Sequence, residues 1–330
     1  MKKREESMAT RILVTGGAGF IGSHLVDALI RRGFEVTVLD RITDENRANV
    51  PEEVDILDVD LTKPAALELV RQLAPDIIFH FAANSSVQQS VAEPLRDLKI
   101  NYLATLRLLH AASRLGVQRF VFASTGGALS SEDTRLPTPE DHPSEPRSPY
   151  AKHKLMSEQA GEHFARSSGL PFVALRFGNV YGPRQTPTVG EGNVISTLAH
   201  RMVRGEPIRI NGTGMQTRDY VYVDDAIRAC LMVLDQPSAS GPFNVGSGEE
   251  TDVLTLYRHL AESAGYGKQP VFAQAQASEP LRSRLDISRI RAVLGWEPLV
   301  PLREGLLRTL DWHEREHRQA VKPEAALHVA

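Results

Sequence analysis

Arg11-Ile12-Leu13-Val14-Thr15-Gly16-Gly17-Ala18-Gly19-Phe20-Ile21-Gly22-Ser23-His24-Leu25 is an apolar run that ends in a glycine cluster and passes directly into a helical pattern. Ile21, Leu25, Ala28 and Leu29 fall on one face of that helix. Strand, glycine turn and helix in this order open a dinucleotide-binding unit: the glycines allow a tight turn and close backbone approach to a pyrophosphate, whose charge then sits at the helix N-terminus. The letters fit the general Gly17-x-Gly19-x-x-Gly22 fingerprint and also a narrower one, Thr15-Gly16-x-x-Gly19-x-x-Gly22. A glycine cluster by itself also serves a plain turn, so its surroundings decide. Val36-Thr37-Val38-Leu39 reads as a second buried strand and ends in Asp40, where a carboxylate would hydrogen-bond the adenosine ribose diol. Asp40 would repel a 2′-phosphate, so NAD is expected over NADP; Arg41 beside it pulls slightly the other way.

The pattern continues outward from this unit. Val54–Leu57 is a short strand closing on Asp58, Lys63–Ala74 has helical spacing, and Ile77–Phe81 is a continuous apolar strand of the kind buried in a parallel sheet. A helix over about 95–115 ends at Gly116, and Arg119–Ala123 is another buried strand. Strict alternation of strand and helix predicts an α/β fold, a doubly wound (Rossmann) parallel sheet. Residues 130–149 read as a long surface loop, 150–167 as a helix and 172–177 as a strand. Beyond 178 the alternation degrades, and the Gly-, Pro- and Thr-bearing stretch 179–193 is too long for a simple connector. The expected division is a nucleotide-binding domain over 10–178, with 220–247 returning to it. A smaller C-terminal α/β substrate-binding domain takes 179–219 and 248–316, and 317–330 form a polar tail.

Composition bounds the rest. The chain has 330 residues, 42% hydrophobic and 24% charged, with a formal net charge of −3. That suits a globular protein with a substantial core, and no basic stripe with interleaved aromatics points to nucleic acid. The single cysteine, Cys230, excludes an intramolecular disulfide and a cysteine-based zinc site, and no metal is expected. No apolar run approaches the length of a bilayer span. Residues 1–9 read as a disordered leader without a secretory h-region, with Met8 a candidate start, and a cytoplasmic location is the expectation.

Chemistry enters at Tyr150-Ala151-Lys152-His153-Lys154. A spacing of four on a helix places Tyr150 and Lys154 one turn apart on one face. A phenol is a poor base at neutral pH, and a neighbouring ammonium lowers its pKa. Such a tyrosine could take a proton from a hydroxyl while a nicotinamide accepts hydride from the same carbon. Met alone, the pair would be a surface tyrosine and a solvated lysine. Here it follows the βαβ array and Ser124-Thr125, which end a strand where ligands bind in open α/β sheets. Either hydroxyl could orient the reacting oxygen, or merely cap the next turn.

Together, Thr15–Gly22, Asp40, His80-Phe81-Ala82-Ala83, Ser124-Thr125-Gly126-Gly127-Ala128 and Tyr150-x-x-x-Lys154 resemble the extended short-chain dehydrogenase/reductases, and among them the nucleotide-sugar epimerases of the UDP-glucose 4-epimerase type. Leu175–Arg184 and Arg218–Asp225 continue the likeness over about residues 10–315. The resemblance implies NAD held at Gly16, Gly19, Phe20, Ile21 and Gly22, with Asp40 on the ribose and Asp60 and Leu61 flanking the adenine. It places Phe81, Ala82 and Ala83 along the nicotinamide, with Asn101, Tyr150 and Lys154 also holding the cofactor. It implies a catalytic group of Tyr150, Lys154, Thr125 and Ser124. For a UDP-sugar it implies contacts from Ser85, Thr125, Tyr150, Asn179, Asn193 and Val194, with Arg218 on the diphosphate. The implied reaction removes hydrogen from the sugar C4, turns the 4-keto sugar over and returns hydride to the other face. A homodimer through helices 95–115 and 150–167 is also implied, although Leu103, Leu106 and Leu109 suit a core stripe equally well.

Three departures bear on the substrate. Leu129-Ser130-Ser131 replaces the family's Tyr-Gly, and an Arg-Pro-Gly motif is absent from 276–282, where Arg282 could partly replace the missing arginine. Ser283 stands where a bulky residue would exclude N-acetylated sugars. Glucuronate-type 4-epimerase, dehydratase or reductase, and a non-catalytic NAD(P)-binding sensor are the alternatives. Gly126-Gly127 after Thr125 disfavours the dehydratase, and the intact Tyr150–Lys154 pair disfavours the sensor.

Overall fold

The computed structural model describes residues 10–129, 135–187, 194–274 and 281–321. Its centre is a parallel sheet of seven strands. In chain order these are β1 (Arg11–Thr15), β2 (Glu35–Asp40), β3 (Asp55–Asp58), β4 (Ile77–His80), β5 (Arg119–Thr125), β6 (Phe172–Phe177) and a last strand, Gly241–Val245. In space the order runs from the last strand through β6, β5, β4, β1 and β2 to β3. The chain therefore builds outward from β1 to β3, then returns to the other side of β1. This makes β1–β4 the switch point, with Thr15 beside His80 in register.

Side-chain alternation divides the core between the two faces of the sheet. Ile12, Val14, Val38, Phe79 and Val121 point to one, and Leu13, Leu39, Ile78, Phe120 and Phe122 to the other. The first face is covered by helices Phe20–Arg31 and Val223–Asp235, which pack on each other. Pro64–Leu73, Ala104–Leu115 and Pro149–Ser168 cover the second. Burial on both faces is why these strands carry nearly unbroken apolar runs.

Two expected helices have different bounds. The segment expected as one helix over 95–115 is Pro94–Asp97, a wide π-helical turn Leu98–Leu103, and Ala104–Leu115. Ala104 N–H reaches back five residues to Lys99, which is the signature of that turn. The helix expected from Tyr150 begins at Pro149, because Ser148 Oγ accepts Ala151 N–H at 3.2 Å and proline suits the first helical position.

The C-terminal part forms a smaller α/β unit. Helices Val194–Val203, Val253–Ala264 and Leu302–Val321 pack together. Two small strand pairs accompany them: Arg209–Asn211 runs parallel to Val271–Ala273, and Thr217–Arg218 antiparallel to Thr251–Asp252. Asn179–Tyr181 and Tyr220–Tyr222 form a further parallel pair beyond the end of β6. Trp296, fully buried, donates its Nε1–H to Asp225 O at 3.0 Å.

Candidate active site

The glycine turn lies at the switch point, against the chain leaving β4. Gly16 has φ +72°, and a Cβ there would lie 2.5 Å from Ala82 N. A Cβ on Gly22 would lie 2.1 Å from Gly16 O. Backbone meets backbone at both points, so neither residue can carry a side chain. Helix Phe20–Arg31 starts at Gly19 with no side-chain cap and no acidic residue in its first turn, an N-terminus suited to an anion. At the end of β2, Asp40 Oδ2 accepts Ala18 N–H at 3.0 Å and Oδ1 accepts Arg41 N–H at 2.8 Å. Asp40 thus braces the glycine loop and keeps lone pairs for a ligand. Desolvation pushes its carboxyl up from the ordinary range.

A cavity of about 300 Å³ opens here. Its walls include Gly16, Gly19, Asp40, Asp60, Leu61, Phe81, Ala82, Ala83 and Ser85, nine of the residues singled out in the sequence. Asp60 Oδ1 is occupied by the N–H and hydroxyl of Thr62, which shape the turn after β3. Cavity, uncapped helix terminus and the cavity-lining carboxylate of Asp40 together fit a dinucleotide. Asn101 takes a supporting place. It is 1% exposed, and its amide bonds both backbone groups of Asn84 and Asp97 Oδ1, so it fixes the Asn84 wall of the cavity from behind.

Tyr150 and Lys154 stand on the first turns of helix Pro149–Ser168, beside the end of β5. The Thr125 hydroxyl hydrogen-bonds Tyr150. Burial pushes the Tyr150 phenol up to about 12, opposed by that hydrogen bond. Lys154 Nζ donates to Ala123 O at 2.8 Å and lies 4.8 Å from the centre of the Phe122 ring. Burial pulls the Lys154 ammonium down to about 8. Desolvation is the largest influence on both groups, and Lys154 keeps its ammonium beside the strand end by donating to that carbonyl.

Ser124 has a different setting from Thr125. Strand alternation turns it toward the helix, where its hydroxyl donates to Glu158. Glu158, 1% exposed, is clamped by Arg176 of β6, whose Nη2 lies 2.7 Å from Oε2. Ser124 therefore belongs to a buried polar group, and of the two hydroxyls Thr125 is the one beside Tyr150.

On the C-terminal side, Asn179 starts the strand after β6, and its N–H donates to Asp219 O at 2.7 Å. Gly127 faces Ser283, whose Oγ would lie 3.0 Å from a Cβ on that glycine. Ser283 is buried and small, and Asn179 Oδ1 lies 4.0 Å from the same point. Arg218 Nη1 donates to Thr217 O at 2.8 Å. Arg282 grips Glu250 with Nε at 2.9 Å and with Nη2, and Thr217 Oγ1 donates to the same carboxylate at 2.6 Å. Val194 opens helix Val194–Val203, whereas Asn193 lies outside the described residues, as do Ser130, Ser131 and 275–280.

Residues 12–246 match the model of the NAD dependent epimerase/dehydratase family. The chain belongs to that family. It is 38% identical over 312 residues to the UDP-glucose 4-epimerase of Mycolicibacterium smegmatis, covering 92% of this chain and 98% of the relative. Among solved structures it is similar to the Thermotoga maritima UDP-glucose 4-epimerase with UDP-glucose. That match has 41% identity, TM-score 0.90, and covers 93% of this chain and all of the other. The Thermus thermophilus UDP-glucose 4-epimerase in complex with NAD is 40% identical with TM-score 0.86, covering 92% and 99%.

For this member of the epimerase/dehydratase family, sequence reasoning missed several residues at the site. Asn84, Gln89 and Arg96 also line the cavity, with the Arg41 already noted beside Asp40. These three carried no local signal, because their place depends on how the chain turns back between 84 and 100. The buried pairs Glu158–Arg176 and Asp97–His153 were missed as well, since each joins segments distant in sequence. Among the described residues no cluster of potential metal ligands occurs, and no helix is long and apolar enough to cross a membrane.

Proposed function

We propose that the protein catalyses NAD-dependent 4-epimerisation of a UDP-sugar of the glucose/galactose type through a 4-keto intermediate. The observation that carries this reading is the Thr125–Tyr150–Lys154 group at the carboxyl end of β5, beside a glycine-turn cavity that suits a dinucleotide. When bound, NAD accepts hydride from the sugar C4 and later returns it. The residues do the rest. Gly16, Gly19 and Gly22 with Phe20 and Ile21 let the pyrophosphate meet the helix terminus, and Asp40 takes the ribose diol in preference to a 2′-phosphate. Thr125 Oγ1 holds the sugar 4-oxygen next to Tyr150, whose phenolate oxygen removes the hydroxyl proton as C4 is oxidised. Lys154, one turn on, lends the positive charge that the phenolate needs.

Arg218 binds the diphosphate as a fork of donors, with Asn179, Asn193, Val194 and Ser85 around the nucleotide sugar. Anchoring the diphosphate leaves the sugar free to turn over and present its other face. Arg282 sits beside the same strand, and Glu250 holds it there until a diphosphate competes for it. The small Ser283 beside Gly127 favours acceptance of N-acetylhexosamine as well as hexose. In this reading 10–178 with 220–247 hold the cofactor, and 179–219 with 248–316 the sugar nucleotide.

The protein acts as a cytoplasmic homodimer in this account. Support for the dimer comes from Val91, 57% exposed on the short helix Val87–Ala92, and Leu95, 73% exposed on Pro94–Asp97, both helices packing against Pro149–Ser168. Light scattering on the purified protein checks the mass.

The test of the function is to mix purified protein with UDP-glucose and with UDP-N-acetylglucosamine, adding no NAD. Appearance of the galacto epimer is expected, because the cofactor is regenerated within each turnover. No turnover of any nucleotide sugar, even with NAD supplied, overturns the reading.

A further inference from the structure

Asp97 is a buried charge for which the reaction above has no task. It ends the short helix Pro94–Asp97 and is fully buried. Three donors surround its carboxylate. Oδ1 accepts from Asn101 Nδ2 at 2.8 Å and from Asn84 Nδ2 at 3.1 Å; Oδ2 accepts from His153 Nδ1 at 2.6 Å. None of the three is a permanent cation. His153, also buried, lies three residues after Tyr150 and one before Lys154. The 2.6 Å bond therefore ties the flank of the Tyr150–Lys154 face to the segment that carries Asn84, a wall of the cofactor cavity.

Other charges around this pair are accounted for. On the same helix, Glu158 is matched by Arg176 of β6, and Lys152 is exposed. From β4, His80 is held neutral by burial. Arg96 pairs with Glu93 on the surface, and Lys99, Arg107 and His110 are exposed. That leaves the bonded pair Asp97–His153 beside Lys154, buried on the same helix turn as His153, and the half-buried Tyr150 one turn before it. Charges in such surroundings act over more than a helical turn. After burial and its Thr125 bond, the phenol of Tyr150 is raised by Asp97; Lys154, drawn down by burial, is raised by the same carboxylate.

We propose that Asp97, fixed by His153, is a positioning residue for the reaction: its buried negative charge keeps Lys154 an ammonium and holds Tyr150 as a phenol until substrate and cofactor are in place. The proposal deepens the epimerase reading and rests on it for the chemistry. Removing the charge should lower the pKa of both groups, since a nearby anion favours an ammonium and disfavours a phenolate.

Three variants of the holoenzyme test it. Asp97→Asn keeps the shape and removes the charge; His153→Lys sets an ammonium against the carboxylate and leaves Asp97 itself unchanged; His153→Gln keeps a donor and leaves the charge. Both limbs of the pH profile of kcat/KM should move to lower pH by on the order of one unit in the first two variants and stay in place in the third. Carbon NMR of ε-labelled lysine, with Lys154 assigned through Lys154→Arg, reads the same downward shift without turnover. A wild-type protein that turns over no nucleotide sugar would therefore defeat the epimerase reading while leaving this one measurable. Limbs and Lys154 titration unmoved in whichever of Asp97→Asn and His153→Lys folds would overturn the proposal, leaving the pair a packing contact alone.

Discussion

Glu158→Leu is the sharpest perturbation of the fold around the site. In the native protein Glu158 is 1% exposed, accepts from Ser124, and bonds Arg176 through both carboxylate oxygens, at 3.1 and 3.0 Å from Nε and 2.7 Å from Nη2. Arg176 keeps one other partner, Glu140 O at 2.8 Å. Removing the carboxylate leaves a guanidinium 9% exposed without countercharge. Breaking a buried pair from one side costs about 3–5 kcal/mol. Unfolding entropy is about 2.1 cal/mol/K per residue, so about 0.7 kcal/mol/K for this chain, and Tm should fall by about 4–7 °C. Replacing both partners, Glu158→Leu with Arg176→Met, should recover most of that loss, because the desolvation cost of the pair disappears with it. Differential scanning calorimetry at fixed cofactor concentration measures both. A single variant that melts within about 1 °C of wild type, or a double variant that melts lower than the single, refutes the reasoning.

Gly22→Ala drives a Cβ to 2.1 Å from Gly16 O, so it should cost about 2–3 kcal/mol and strip the bound dinucleotide, read as lost nucleotide absorbance in the purified protein. Thr125→Val removes the hydrogen bond that opposes burial at Tyr150; kcat should fall on the order of tenfold with its acid limb displaced upward, and Thr125→Ser should restore both. Tyr150→Phe should lower kcat by about 10²–10⁴ while NAD stays bound. Burial takes His80 down to about 3 and His313 down to about 4, so below the ordinary histidine value of 6.5 the unfolded chain binds protons that the folded one refuses. Their stabilisation is complete above that pH and is lost as pH falls toward the two depressed values, at about 1.4 kcal/mol per pH unit for each. Denaturant titrations near pH ~5 should show His313→Gln with a slope shallower by about that amount.

Much of the fold was legible because its signals are local. Ile12–Val14, Ile77–Phe79 and Phe120–Ala123 are apolar because both sheet faces are covered, and Gly16 and Gly22 report a backbone constraint that no other residue meets. Tyr150 and Lys154 could be paired because helical spacing is a local rule. The choice between Ser124 and Thr125 could not be made: strand alternation separates them, but which face meets the helix depends on Glu158, thirty-four residues away. Asp97 and His153 are fifty-six residues apart, and neither type announces the other. The widened turn at Leu98–Leu103 has no composition of its own; it is stabilised from outside, by Ser157 Oγ donating to Asn101 O at 2.7 Å. Arg282 looked available for a diphosphate because its partner, Glu250, lies on another segment.

The central claim is that the hydrogen at the sugar C4 leaves and returns within one bound complex. Incubating the purified protein with UDP-galactose carrying deuterium at C4, in ordinary water and without added NAD, tests it directly. The account predicts UDP-glucose that retains deuterium at C4. UDP-glucose with protium at C4 would mean that the hydrogen exchanges with solvent, and would contradict hydride transfer at the Thr125–Tyr150–Lys154 group.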